Sequence, residues 1–390
     1  MPDKNPFQKR ASSLFYIAFA LYIIPRYLQY TTLWDIGWAA TGLSVLKLLS
    51  YPLFLVLCLY RIKETIKPLS TAAHIVVAAF GVFLVYQVIA NNSRDILSLL
   101  LISLAFYHAL GFQKLEQFLR FCFHLQLSLF CTTILLCLTG IIPDATTASE
   151  KLGGTLIRYS LGFNYPGQLQ MNMTALVMLY YYLYRKQISL IRNLIAVALC
   201  TAVLAVSRTV MPYGVALLCI VLVSAEEKYH FVSRLPRRLL YAVPAICAGI
   251  AVLFVWLEYW DNPIGVLVDT FANHRFYLAN DAIRLFGIRL LGTGFQNTFV
   301  SSEGFYLFVD SEYLFMLISN GILYTLALLA MFTAISRYAL RKDTALWVIF
   351  FLQFCSAIMN NCLVNLVASP FSIITICALK DGFQYGKQKH

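Results

Sequence analysis

Apolar runs of about twenty residues recur from one end of this 390-residue chain to the other, and a run of that length spans the roughly 30 Å hydrocarbon layer of a bilayer as a helix. In lipid each backbone polar group has to be satisfied within its own segment, so such runs predict helices rather than open strands. Composition agrees: 60% of the residues are hydrophobic and only 12% are charged, where soluble domains carry about 25% charged residues. The runs fall at 13–30, 41–60, 71–90, 95–112, 118–140, 166–184, 188–206, 209–225, 238–257, 312–333, 344–361 and 363–380. The expected fold is an all-α polytopic membrane protein of about 12 transmembrane helices, with residues 1–390 forming a single transmembrane domain. The first run, from Ser13, leads into Pro25 and Arg26 rather than a small-residue cleavage site, so it is expected to stay as the first span.

Lys and Arg set the orientation. Lys4, Lys9, Arg10, Arg61, Lys63, Lys67, Lys114, Arg120, Arg185, Lys186, Arg192, Lys228, Arg234, Arg237, Arg238, Arg337, Arg341, Lys342, Lys380, Lys387 and Lys389 fall in alternate loops, 21 of the 30 basic residues. The opposite loops hold seven: Arg94, Lys151, Arg158, Arg208, Arg275, Arg284 and Arg289. Arg26 and Lys47 lie inside spans. The positive-inside rule then puts both termini in the cytoplasm. The net charge of +12 reads as topology and contact with anionic lipid heads. No separate basic domain or aromatic-laced basic patch points to nucleic acid. The ten cysteines lie in or beside apolar runs, which suits packing rather than a disulfide framework. The six histidines are scattered without ligand spacing, so no metal and no cofactor are expected.

Two extracytoplasmic loops are long, about 141–165 and about 258–311, and long loops on a rigid scaffold carry function. In the second, Phe271, Leu278, Ala282 and Leu285 predict one apolar stripe of an amphipathic helix, with Arg275 on that stripe. A surface helix keeps charge off its apolar face. Arg275 is therefore either a side chain reaching back to a lipid head or a buried cation facing an anion. Arg284 stands about 180° round the helix from Arg275 and three residues after Asp281, which suits a surface ion pair. Arg289 returns close to the face of Arg275, where Gly287, Gly292 and Gly294 predict a bend.

The first long loop ends in Arg158-Tyr159-Ser160-Leu161-Gly162-Phe163-Asn164-Tyr165-Pro166-Gly167. A Gly/Pro entry to a helix N-terminus beside an arginine suits a diphosphate, and equally a plain turn with aromatic anchors at the interface. Arg208, in Ser207-Arg208-Thr209, suits the same anion or a headgroup. Asp310 and Glu312 open the tenth run beside Tyr313. A partly desolvated carboxylate there suits a general base; helix capping is the plainer role.

These segments, RYSLGFNYPGQ, SRT, NHRFYLANDAIRLFGIRLLGTGF and VDSEYLFMLISNGI, resemble the Wzy-type polysaccharide (O-antigen, capsule, exopolysaccharide) repeat-unit polymerases, relatives of the O-antigen ligases. The likeness covers motifs over about 155–325 and topology over the whole chain. Two departures stand out. The family's His-Pro-Asn-like turn is Asn164-Tyr165-Pro166-Gly167 here, and its Asp-Asn pair is Asp310-Ser311. The ligases carry a histidine in that later motif, and its absence favours a polymerase. The resemblance implies a metal-independent membrane glycosyltransferase of the bacterial cytoplasmic (inner) membrane, acting in cell-envelope polysaccharide biosynthesis. It implies a growing glycan on undecaprenyl diphosphate as donor and a lipid-linked repeat unit as acceptor. Membrane lipids, a chain-length regulator and a flippase are the implied partners. It also implies that Arg275, Asp310 and Glu312 are catalytic, and that Arg158, Arg208, Tyr159, Asn164, Arg289 and Tyr313 bind the diphosphate or substrate.

From a different class comes a transporter or flippase for a lipid-linked glycan. It would bury charge at mid-membrane in several spans, and the spans offer Arg26 and Lys47 alone.

Overall fold

The computed structural model describes residues 6–61, 71–151, 154–300 and 305–387. Lys4, Lys63, Lys67 and Lys389, used above for orientation, lie outside the described residues. The chain is an all-α polytopic membrane protein. Its helices run α1 Pro6–Leu28, α2 Gly37–Tyr60, α3 Thr71–Asn91, α4 Asp95–Ala109, α5 Leu115–Leu138, α6 Pro166–Leu183, α7 Leu190–Ser207, α8 Val210–Tyr229, α9 Arg237–Tyr259, α10 Pro263–Phe271, α11 Arg275–Phe286, α12 Glu312–Ser319, α13 Ile322–Lys342, α14 Thr344–Ser356 and α15 Thr375–Lys387. Among the described residues seven helices (α1, α2, α5, α7, α8, α9 and α13) are long and apolar enough to cross a bilayer, and three shorter apolar ones accompany them. Against them packs α6, which buries 15 of its 18 residues. A helix covered on all sides belongs at the centre of a bundle.

The last three expected spans are corrected. The run at 312–333 breaks at Asn320-Gly321 into α12 and α13, because Gly321 takes a left-handed φ of 93°. The runs at 344–361 and 363–380 are not two full helices. With 13 residues, α14 reaches about 20 Å, short of the 30 Å layer. An irregular strap, 357–369, and a 3₁₀ turn, Pro370–Ile374, follow before α15. Irregular backbone at membrane depth survives only inside protein or along a cavity. Here Glu312, fully buried, accepts the amides of Cys362, Leu363 and Val364. Gln126 Nε2 donates to the Val367 carbonyl at 3.1 Å, and Ser372 Oγ to that of Leu363 at 2.8 Å.

The long loops carry more than helix. Thr147–Lys151 (β1) pairs antiparallel with Gly154–Arg158 (β2), and Thr298–Val300 (β3) with Phe305–Leu307 (β4). A clasp closes the second hairpin: Asn297 Oδ1 accepts the Val309 amide at 2.8 Å, and Asn297 Nδ2 donates to the Val309 carbonyl at 3.3 Å. The single stripe through Phe271 is also corrected. Asn273 and His274 adopt left-handed φ values of 55° and 60° and separate α10 from α11. Phe271 is 82% exposed and Leu285 62% exposed, while Phe276, Ala279 and Ala282 are buried. The break rotates α11 onto a different face.

A tight joint ties α3 to the second loop. Gln87 Nε2 donates to the carbonyls of Leu291 and Asn320, at 3.2 and 3.0 Å. Asn91 Nδ2 donates to Leu291 at 2.8 Å. A Cβ on Gly292 would stand 2.3 Å from the Ser319 carbonyl oxygen, so only glycine fits there.

Candidate functional site

Arg275 is the first residue of α11, and the fold fixes it from behind. Asp269, buried at the end of α10, accepts the amides of Phe276 and Tyr277 at 2.8 and 3.1 Å and contacts His274 Nδ1 at 3.1 Å. These bonds satisfy donors that a helix start leaves open and aim the Arg275 side chain at the strap. Its Nε meets Asp310 Oδ2 at 3.1 Å. Its Nη1 donates to the Met359 carbonyl and, at 3.4 Å, to Asn360 Oδ1.

Arg158 arrives from β2. Its Nε donates to the Ser207 carbonyl at 3.0 Å and its Nη2 to Thr209 Oγ1 at 2.7 Å, so two of the motifs touch directly. Burial lowers the pKa of Arg158, and the nearby charge of Arg275 acts in the same direction. Two guanidinium groups close enough to repel each other make a centre that favours an anion. Asp310 balances one of them. Burial raises its pKa while Arg275 draws it down. The pair is about three-quarters buried, with side chains 26% and 24% exposed.

The turn between Arg158 and α6 is held by other groups. Asp144 Oδ1 accepts from the Ser160 amide at 3.0 Å and its hydroxyl at 2.8 Å. Asn164 Nδ2 donates to the Gln29 carbonyl at 3.0 Å, which pins the turn to the segment after α1. Tyr159 is 44% exposed at the surface, and its amide bonds the Val206 carbonyl at 3.2 Å.

The remaining candidates are placed as follows. Arg208 is exposed with a left-handed φ of 52°, ending α7 next to Ser207; its side chain makes no hydrogen bond among the described residues. Glu312 has no exposure and its oxygens accept three strap amides, which ties it to the fold of the strap. Tyr313 is 2% exposed, with its hydroxyl on the Phe354 carbonyl at 3.2 Å. The Arg289 carbonyl accepts the Ile322 amide at 3.1 Å, which fastens its backbone to the start of α13. Arg284 lies 5.1 Å over the Tyr259 ring rather than in an ion pair with Asp281.

No family model, no curated protein and no solved structure matches this chain.

Sequence reasoning missed Asp269, Met359 and Asn360. An Asn-His pair straight after an apolar helix was the available signal for the first. For the strap, the clustered Asn360, Asn361 and Asn365 inside an apolar run were the signal. A second cationic cluster was missed as well. Arg26, Lys47, Arg94 and Asp95 line a polar cavity of about 330 Å³, although they lie on three elements far apart in sequence.

Proposed function

We propose that this chain is a lipid-linked repeat-unit polymerase of a bacterial cytoplasmic membrane, with both termini in the cytoplasm and the two long loops outside. One observation carries the reading: Arg275 and Asp310 pair at 3.1 Å, and Arg158, from a third segment, lies within electrostatic reach of Arg275. An acceptor hydroxyl oxygen attacks the anomeric carbon of the donor glycan. The bond from that carbon to the undecaprenyl diphosphate oxygen breaks, and its electron pair leaves with the diphosphate. Arg275 and Arg158 face the charge that develops there, and such fixed donors stabilise a leaving anion. Asp310, next to Arg275, takes the hydroxyl proton. The 13-residue α14 runs into the strap that meets Arg275, an arrangement that suits a substrate whose diphosphate lies at a membrane surface.

A lipid-linked glycan transporter is the second reading, favoured by the charged cavity around Arg26 and Lys47. A ligase differs from the polymerase in its acceptor. The size ladder of surface glycan in a strain lacking the chain separates the three. Loss of long chains with a single repeat unit retained supports a polymerase. Loss of all attached glycan supports a ligase or a transporter.

A further inference from the structure

The cavity beside Arg26 holds three cations, and only one is neutralised. Arg26 Nη2 grips Asp95 with two bonds, 2.9 and 2.8 Å, and Asp95 is the one acidic residue in the wall. Lys47 and Arg94 line the same space; among the described residues neither has a hydrogen-bonding or ion-pair partner for its side chain. Lys47 sits ten residues into α2, about 15 Å from its start, on a helix long and apolar enough to cross a membrane. A cation on such a helix is costly unless it faces a paired charge or a wet cavity. Arg94 is the N-cap of α4, so the positive end of that helix adds to the field. At about 330 Å³ the space is many times the roughly 10–15 Å³ that a single water requires, far more than a halide would fill.

The surroundings supply the other half of the chemistry. Leu48, next to Lys47, is 68% exposed and Ile89, near the end of α3, is 79% exposed, as suits hydrocarbon contact. A polar cationic pocket beside apolar, outward-facing helix surface fits a charged head with a tail. We infer that this cavity binds the phosphate or diphosphate group of an amphiphile, at a site separate from the Arg158–Arg275 centre. The two sites stand back to back across the strap. Met359 and Asn360 face Arg275, while Asn361 and Val364 line the cavity, and neighbouring Cα atoms are only about 3.8 Å apart. If the first centre holds one lipid diphosphate, a clause that rests on the polymerase reading, the cavity sets a second anionic head within a few residues of it.

Binding tests the inference without any polymerisation assay. The purified full-length chain in detergent is titrated with farnesyl diphosphate, farnesol, dihexanoyl phosphatidylglycerol and inorganic diphosphate. Farnesyl diphosphate should bind more tightly than farnesol or inorganic diphosphate. Arg94→Gln and Lys47→Gln should each weaken one binding step about tenfold, and Arg275→Lys should leave that step in place. Arg94 is exposed, so Arg94→Gln keeps the test informative if Lys47→Gln fails to fold. Phosphatidylglycerol matching farnesyl diphosphate, with the same sensitivity to Arg94→Gln, supports the site and identifies a membrane phospholipid as its source. Inorganic diphosphate binding as tightly as farnesyl diphosphate overturns the amphiphile. Binding untouched by both variants, or lost entirely in Arg275→Lys, overturns the separate site. Because loss of polymerisation is never the readout, failure here is distinguishable from failure of the proposed activity.

Discussion

Asp310 and Glu312 are two residues apart and belong to two different regions of the molecule. Asp310 closes the second long loop and faces a guanidinium, with its side chain 24% exposed. Glu312 opens α12 and faces only backbone amides of the strap. The same functional group is available for chemistry in one place and consumed by the fold in the other. Ser311 between them turns the chain, its hydroxyl accepting from the Leu314 amide at 3.5 Å and its ψ of 122° still outside the helical range. What separates the two carboxylates is the partner each one takes: Glu312 closes three strap amides, and Asp310 closes a guanidinium.

The largest effect expected is on Glu312. Glu312→Ala strips three buried amides of their acceptor, and each unsatisfied donor costs about 1–3 kcal/mol. The variant should fail to give folded, monodisperse protein in detergent, while Glu312→Gln, which keeps one acceptor oxygen, should be intermediate. A well-folded Glu312→Ala without activity would erase the contrast drawn here and return Glu312 to the reactive centre.

Arg275→Lys comes next. A lysine keeps the charge and loses the fork that serves Asp310 and Met359 together. Glycan chain length at matched expression should reflect a rate lower by about 10²–10³, with an unchanged melting temperature. A silent Arg275→Lys would mean that the guanidinium only caps the strap. Asp310→Asn should cost about 10²–10⁴ in rate. Only the ionised carboxylate accepts a proton, so the wild-type rate should fall as pH drops through the Asp310 pKa. Burial raises that pKa, so the acid limb should lie above the ordinary Asp value of about 3.9. An acid limb that persists unchanged in residual Asp310→Asn activity would point to another base. The smallest effect belongs to Arg284→Lys: an exposed cation over a tyrosine ring contributes about 0.5–1 kcal/mol, and chain length should be unaltered. A damaging Arg284→Lys would mean that the opposite face of α11 meets the substrate.

Much of the architecture was legible because it follows from one rule, that a chain in lipid must close its own hydrogen bonds. The long apolar helices and the two long loops followed from it. The strap did not, since its satisfaction depends on Glu312 and Gln126, distant in sequence and invisible to hydropathy. The site was half legible. Arg158, Arg275 and Asp310 stood out as isolated charges beside turn motifs. The face of α11 was misjudged because two left-handed residues, Asn273 and His274, reset its rotation after Phe271. The cavity around Arg26, Lys47 and Arg94 escaped because each cation, taken alone, reads as an anchor to lipid heads, and only the packing of α1, α2 and α4 makes them neighbours.

The Asn297 clasp has a consequence for how such a chain can change. Because Asn297 and Val309 hold each other by two bonds, the residues between them form a cassette whose ends stay a fixed distance apart whatever it contains. Asp310 is the next residue outside. Substitutions or insertions within the cassette leave Asp310 where it stands, so the sequence between the two clasped residues is free to drift while the carboxylate keeps its place.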